Sequence, residues 1–114
     1  MSGSGRETEG FIPDRIIHEP TRLQIISYLA VSGKQVSFTE LREKLSLSAG
    51  NLSVQLKKLE EAGYVSIVKS FRERKPLTRV SLTRQGLEAL QQYLGELEKM
   101  IDRLKNTTPP AGMD

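Results

Sequence analysis

The first helix is predicted from apolar residues that recur at spacings of three and four and so share one face. This face is formed by Leu23, Ile26 and Leu29, with Ile25 and Tyr28 beside them. We expect the helix to run in two pieces, since proline is tolerated in a first helical turn and Pro20 marks a restart. The first piece begins with Phe11, Ile12, Ile16 and Ile17. Gly33 is expected to end the second piece.

A short strand and a second helix follow. Residues 36–38 alternate in polarity and predict a minimal strand. Thr39 then offers a hydroxyl to the exposed amides of a helix over residues 40–45. A capping box formed by Ser37 and Glu40 is the alternative, with the helix starting two residues earlier. The apolar contacts of this helix are expected from Leu41 and Leu45.

The third helix is predicted directly after the second. Residues 46–48 form a tight connection, and Ser48 is a good cap for the helix, which Gly63 is expected to end. Its inward face is formed by Leu52, Leu56 and Leu59. Two short helices joined by such a turn predict a helix-turn-helix.

After Gly63 the pattern changes to that of a β-hairpin. The first strand is rich in β-forming residues, namely Tyr64, Val65, Ile67, Val68 and Phe71. Residues 78–82 alternate polar and apolar, as a half-exposed strand does. The charged residues 72–76 lie between them, and Pro76 lacks an amide donor. A hairpin that follows a helix-turn-helix in this way is a wing.

The last helix is predicted over residues 84–105, with Thr83 as its cap. Its apolar row is formed by Leu87, Leu90, Leu94, Leu97, Ile101 and Leu104, and Tyr93 and Met100 broaden the face. Spacings of three and four over more than two heptads indicate a coiled-coil seam. A helix of this length spans about 33 Å, so we expect its outer end to lie beyond the domain's own core. The alternative is that these leucines only cover that core.

Dimerisation would bury the apolar row. The predicted dimer interface consists of Ile16, Leu90, Tyr93, Leu94, Leu97, Met100, Ile101 and Leu104. Gly86 and Gly95 are unfavourable within a helix, and close helix approach is one explanation for them.

The predicted fold class is mainly α with a small β-hairpin. The order is helix, strand, helix, helix, strand, wing, strand and a long C-terminal dimerisation helix, which is a winged helix-turn-helix. One domain is expected over residues 11–105, with disordered tails at residues 1–10 and 106–114.

Composition removes several classes of function. Cysteine is absent and His18 is the only histidine, so no disulfide framework, thiol nucleophile, cofactor or metal cluster is predicted. The sequence contains no phosphate-binding glycine loop and no activated nucleophile, so an enzyme is the least supported class. No apolar run is long enough for a membrane span or a secretory signal, and a cytoplasmic location is expected.

The charge is concentrated in the wing. Residues 69–79 contain five cations and one acid, which leaves −1 for the rest of a chain whose net charge is +3. A local excess of this kind is what a binding surface for an anion requires. Because the arginine fork fits phosphate oxygens and narrow minor grooves, we expect Arg72, Arg74 and Lys75 to contact DNA.

The outward face of the third helix is the candidate DNA reader. It presents Gly50, Asn51, Ser53, Val54, Lys57 and Lys58. Asn51 is a candidate to bind an adenine or a phosphate, and Ser53 a base or the backbone. Val54 is a candidate contact for a thymine methyl, while the two lysines are expected on phosphates. An ordinary solvated helix face is the alternative interpretation.

Together these residues resemble single-domain winged-helix regulators related to the MarR and ArsR groups. The resemblance is carried by residues 50–65, 69–71, 74–78 and 82–86, and it extends from about Ile12 to Leu104. It implies a dimer built from the first and last helices, with the third helix in the major groove and the wing beside it. The positions that match the groove-facing residues are Ser48, Ala49, Gly50, Asn51, Ser53 and Val54, and those that match the wing are Arg72, Arg74 and Lys75.

Three positions depart from the pattern of that family. Ser46 stands where relatives often have glycine, which predicts a strained turn. Ala49 and Val54 stand where many ArsR-type readers have longer polar side chains, which argues against strong base-specific hydrogen bonding. The chain also lacks the cysteine or histidine clusters of ArsR-like metal sensors.

The function favoured by the sequence is a transcription regulator that binds duplex DNA as a homodimer. Residues 48–62 are expected in the major groove and residues 69–79 on phosphates or in the minor groove. A small-molecule effector in the dimer cleft is left open. The alternative is a winged helix that serves as a protein-interaction module, because a fold alone does not fix function.

Overall fold

The computed structural model describes residues 13–112. Their elements in chain order are α1 (Pro20–Ser32), β1 (Val36–Ser37), α2 (Phe38–Lys44), α3 (Ala49–Glu61), β2 (Val65–Arg72), β3 (Lys75–Leu82) and α4 (Arg84–Lys105). The predicted fold class is therefore confirmed. Phe11, Ile12 and the expected tail over residues 1–10 lie outside the described residues.

The second piece of the predicted first helix begins at Pro20, as predicted, but Ile16 and Ile17, which were predicted to belong to a first piece, are not helical. They lie in a turn in which Asp14 Oδ1 accepts hydrogen bonds from the amides of Ile16 (2.8 Å) and Ile17 (3.1 Å). Gly33 ends α1 with a φ of 69°, and its amide donates to the Leu29 carbonyl at 3.1 Å. A left-handed conformation of this kind favours glycine, so the predicted stop is confirmed.

The cap of α2 is Ser37 rather than Thr39. Ser37 has an extended backbone, and its Oγ accepts the amide of Glu40 at 3.0 Å, so α2 begins at Phe38. The Thr39 prediction is wrong, and the alternative start is correct. Only half of the capping box forms, because the Glu40 carboxylate accepts the Tyr28 hydroxyl at 2.6 Å. This hydrogen bond is the main reason why the pKa of Tyr28 is raised above its ordinary value.

The three strands form one antiparallel sheet in the order β1-β3-β2. The long hairpin pairs Val65 with Leu82 at its base and Arg72 with Lys75 at its tip. Two residues close it, Glu73 with a φ of 53° and Arg74 with a φ of 70°. Positive φ at both central residues is the geometry of tight hairpin turns that match the twist of the strands.

The core lies between α1, α2, α3, the sheet and the first half of α4. Its most enclosed side chains are Ile17, Ile25, Ile26, Leu29, Leu41, Leu52, Leu59, Val36 and Val80. Leu56 also belongs to it at 3% exposure, so the three leucines of α3 face inward as predicted. Their burial orients α3, and the opposite face of the helix is turned outward.

The start of α4 is held against the base of the wing. Thr83 Oγ1 accepts the amide of Gly86 at 3.0 Å and donates to the Gly63 carbonyl at 2.7 Å. Gly86 lies so close to the Tyr64 carbonyl oxygen that a Cβ would collide with it, whereas a Cβ on Gly95 would meet no atom within 4 Å. Close approach explains the glycine at position 86 but not the one at position 95.

The apolar row of α4 divides into two parts. Leu90 and Tyr93 are 5% and 6% exposed, and Leu97 packs against the core. A second set remains open to solvent: Leu87 at 38%, Leu94 at 45%, Ile101 at 39% and Leu104 at 65%. The covering of the domain's own core thus accounts for only part of the row. Within residues 13–112, no helix has the length and hydropathy needed to cross a membrane.

Candidate nucleic-acid interface

The N-terminus of α3 is built by a serine cap. Ser48 Oγ accepts the amide of Asn51 at 3.1 Å, as the sequence predicts for a helix that starts after a tight connection. Within that connection Ser46 has a φ of 55°. This left-handed conformation is one that glycine adopts more easily, in agreement with the predicted strain at this position.

The residues predicted to face the DNA groove all lie on the exposed side of α3 or at its start. They are Ser48, Ala49, Gly50, Asn51, Ser53, Val54, Lys57 and Lys58. Val54 is 52% exposed, so an apolar side chain lies in the middle of a polar surface. No described segment covers this side of the helix.

The wing extends beside that surface. Arg72, Arg74 and Lys75 are exposed at the hairpin tip, where the cations of the two strand ends and the turn lie together. Phe71 is 76% exposed and pairs with Pro76 across the hairpin. The tip therefore offers a cationic surface with one large apolar side chain.

A groove of about 770 Å³ separates α3 from the strands of the wing. Lys57 lines it from the helix and Lys69 from β2, while Glu60 is the one acid among the described lining residues. Its apolar surface comes from Phe38, Leu56 and Ile67. Two cations on opposite walls suit a strand of phosphates lying along the groove.

A buried arginine supports the exposed face of α3 from behind. Arg22 is 9% exposed, and its Nη1 donates to Gln55 Oε1 at 2.7 Å. Gln55 Nε2 in turn donates to Asn51 Oδ1 at 3.1 Å. We refer to these three residues as the Arg22–Gln55–Asn51 chain. It connects the interior of the protein to a residue of the candidate interface.

A second set of contacts joins the segment before α1 to the wing and to α4. Asp14 Oδ2 accepts the Tyr64 hydroxyl at 2.6 Å. Burial, followed by this hydrogen bond and the carboxylate charge, raises the pKa of Tyr64 to about 12. His18 Nδ1 lies 3.1 Å from the Tyr93 hydroxyl. His18 thus has a structural neighbour on α4.

Sequence reasoning missed Arg22, Gln55 and Phe71 as residues of this region, and it included Lys69 only as part of the cationic run 69–79. Lys69 and Phe71 share the inward face of β2 with Val65 and Ile67, but they lie beyond the end of the core. The change from apolar Val65 and Ile67 to charged Lys69 on one strand face marks this point, whereas Phe71 follows the apolar pattern of that face and gave no signal. Arg22 and Gln55 gave no such signal, because two polar residues 33 positions apart become partners only when α1 packs on α3.

Comparison with known proteins agrees with this geometry. Residues 21–101 match the family described as the winged helix DNA-binding domain. A protein of Methanocaldococcus jannaschii that is described as uncharacterised is 35% identical over 91 residues, which are 80% of this chain and 98% of that protein. The chain therefore belongs to the winged helix DNA-binding domain family, which is a family of DNA-binding domains and not of enzymes.

Solved structures show the same fold. A transcriptional regulator homologue from Pyrococcus horikoshii is 32% identical with a TM-score of 0.74, over 80% of this chain and 89% of that one. The transcriptional regulator BldR from Sulfolobus solfataricus has a TM-score of 0.60 over 80% of this chain and 63% of that one. At 16% identity this second likeness shows the fold alone. The resemblance to winged-helix regulators that the sequence predicts is confirmed.

Proposed function

We propose that this protein is a transcription regulator that binds duplex DNA, with α3 in the major groove and the wing on phosphates or in the minor groove. One observation carries the proposal. The exposed face of α3 and the strands of the wing lie on either side of a groove whose walls both carry lysine, and the strands lead on to the cationic tip of the hairpin. In winged-helix proteins the second helix of the helix-turn-helix motif lies in the major groove of DNA, and contacts with phosphates fix its position.

The relatives support the same function. The Pyrococcus horikoshii protein is described as a homologue of a transcriptional regulator, and its chain is nearly fully covered by the alignment. We extend that function to this chain because its own surface has the charge and shape that the function needs. A cytoplasmic location, where the DNA of such a regulator lies, is part of this proposal.

The homodimer is also part of the proposal. Leu87, Leu94 and Ile101 are spaced by seven residues and stay exposed in the single chain, so they form a row suited to a second copy of the same helix. A two-fold dimer would present two copies of α3 to half-sites about one helical turn apart. Ile16, Leu97, Met100 and Leu104 remain candidate contributors, whereas Leu90 and Tyr93 are already largely enclosed.

Selection of bound duplexes from a random pool tests the proposal directly. We expect an enriched site with two-fold symmetry. A partner protein that co-purifies in fixed ratio, together with no duplex binding at low salt, would instead favour the protein-interaction module.

The wing is tested by a matched pair of double variants. Removal of two charges by Arg72→Gln and Arg74→Gln is expected to weaken binding to all duplexes and to flatten the salt dependence by about 0.9 for each lost phosphate contact. The control, Arg103→Gln with Lys105→Gln, removes the same charge from the far end of α4 and should leave the salt slope almost unchanged. Unchanged affinity and slope in the wing variant would exclude the wing from the interface.

A further inference from the structure

The direction of hydrogen-bond donation along the Arg22–Gln55–Asn51 chain, which we call its polarity, is fixed by its buried end. A guanidinium group has five donors and no acceptor. Because Arg22 Nη1 donates to Gln55 at 2.7 Å, the atom that Gln55 turns toward Arg22 must be its carbonyl oxygen. Arg22 is itself held by a second hydrogen bond, from its Nε to the Ile16 carbonyl at 2.7 Å.

This polarity passes on to Asn51. With its oxygen on Arg22, Gln55 has only its amide nitrogen left for the other side, and this Nε2 donates to Asn51 Oδ1 at 3.1 Å. The Asn51 carboxamide oxygen is therefore turned back along α3 toward Gln55. The amide nitrogen of Asn51, Nδ2, makes no hydrogen bond with any residue between 13 and 112, and Asn51 lies on the exposed face of α3.

We propose that Asn51 acts as a hydrogen-bond donor that reads an acceptor on a base edge in the major groove, with guanine as the best match. Arg22 and Gln55 are positioning residues that set this polarity. The proposal rests on the proposed function and specifies what one residue of the interface recognises.

The chemistry of the bases explains the choice. Guanine presents two acceptors, N7 and O6, in the major groove, whereas adenine presents one acceptor and one donor. Bidentate recognition of adenine needs both the oxygen and the nitrogen of the asparagine, and here the oxygen is engaged by Gln55. Of the partners considered from the sequence, adenine is therefore disfavoured.

The substitution Gln55→Glu tests the polarity with almost no change of shape. Glutamate still accepts from Arg22, but it cannot donate, so Asn51 would turn its Nδ2 toward it and its oxygen outward. We expect the preferred base at one position of each half-site to change from guanine to a base with an exposed amino group, adenine or cytosine. Relative affinities measured on duplexes that differ only at this position should change by about tenfold or more.

Two further variants separate this effect from others. Gln55→Leu interrupts the hydrogen bonds of the Arg22–Gln55–Asn51 chain without adding charge. It should relax the base preference at that position of the half-site and leave the base preferences at the other positions unchanged. The added negative charge of Gln55→Glu alone would weaken all duplexes alike and would not reorder them. Asn51→Ala should abolish the preference at the same position, and a uniform loss over all sequences would show a phosphate contact and overturn the proposal.

The outcomes distinguish the proposal from the function on which it rests. If the wild-type protein selects a site but Gln55→Glu leaves every base preference as it was, Gln55 does not set the polarity with which Asn51 contacts a base. The DNA-binding function would still stand. If the unchanged protein binds no duplex, the function and the donor role of Asn51 both fail.

Discussion

Gly86 and Gly95 differ in the space around them, although both lie inside α4. A Cβ at position 86 would collide with the Tyr64 carbonyl and approach Leu82 Cδ1 at 2.8 Å, whereas position 95 is open. We expect Gly86→Ala to lower the free energy of unfolding by about 2 kcal/mol, because α4 and the base of the wing must separate. Urea unfolding at one fixed protein concentration measures this.

The matched substitution Gly95→Ala is the control for Gly86→Ala. It removes the conformational cost of glycine without introducing a collision, so we expect a gain of up to about 1 kcal/mol. Equal effects of the two substitutions would show that helix propensity, and not the contact with Tyr64, decides the outcome.

Tyr64 predicts a dependence of stability on alkaline pH. Its pKa in the folded protein, raised to about 12, lies above the ordinary value near 10, so folding favours the neutral phenol. This contribution is complete below pH 10 and is lost as the pH rises from 10 to 12. Tyr64→Phe, which removes the hydrogen bond to Asp14, should cost about 1 kcal/mol at pH 8, and its deficit relative to the unchanged protein should shrink above pH 10.

Urea unfolding of both proteins between pH 8 and pH 12 checks this prediction. Since the other titrating groups are common to both, their effects cancel in the difference. A deficit that stays constant up to pH 12 would mean that the hydroxyl of Tyr64 does not favour the neutral form.

The sequence predicted the role of a single residue correctly where that role depends on one short segment. Ser48, Thr83 and Gly33 cap their helices as expected, because a cap depends on residues within one turn. Thr39 failed because Ser37, two residues earlier, competes for the same role. The Arg22–Gln55–Asn51 chain was beyond reach, since it exists only once two helices are packed.

The wing turn is an element in which local geometry conflicts with residue preference. Glu73 and Arg74 both have positive φ, a conformation that asparagine and glycine adopt at much lower cost. We expect Glu73→Asn with Arg74→Gly to raise the free energy of unfolding by about 1 kcal/mol. The same change removes one acid and one cation from the tip, so its net charge is unchanged, and duplex affinity should fall relative to Glu73→Asn because the proposed Arg74 contact is lost.

Urea unfolding and duplex titration at several salt concentrations measure the two effects of this turn replacement. The control Glu73→Asn keeps Arg74 and should gain part of the stability without losing affinity. An affinity in the double variant equal to or higher than that of Glu73→Asn would contradict the proposed contact of Arg74 with DNA.

The hydrophobic pattern predicted the order of helices and strands, because every amphipathic face packs against the same core. It could not predict which apolar residues of α4 are buried in that core and which stay exposed. Leu90 and Leu94 belong to the same spacing, yet they are 5% and 45% exposed. The division depends on where the domain beneath the helix ends, which is a property of the packed structure.

A single chain leaves the heptad row of Leu87, Leu94 and Ile101 exposed to water, and a second copy of the protein would cover it. We expect Leu94→Glu with Ile101→Glu to weaken self-association at least about 100-fold, because apolar burial is lost and unpaired charges would have to be buried. Sedimentation equilibrium measures self-association, and duplex titration should show that a two-fold site is no longer bound much more tightly than DNA carrying a matched single half-site.

The control for this row uses the outer side of the same helix. Gln92→Glu with Lys99→Gln changes the net charge by the same −2 at two exposed positions, also seven residues apart, and should leave the dimer intact. If both variants weaken association equally, net charge rather than the apolar row controls it. If neither does, a second copy does not pack on Leu94 and Ile101, and the proposed dimer interface is wrong.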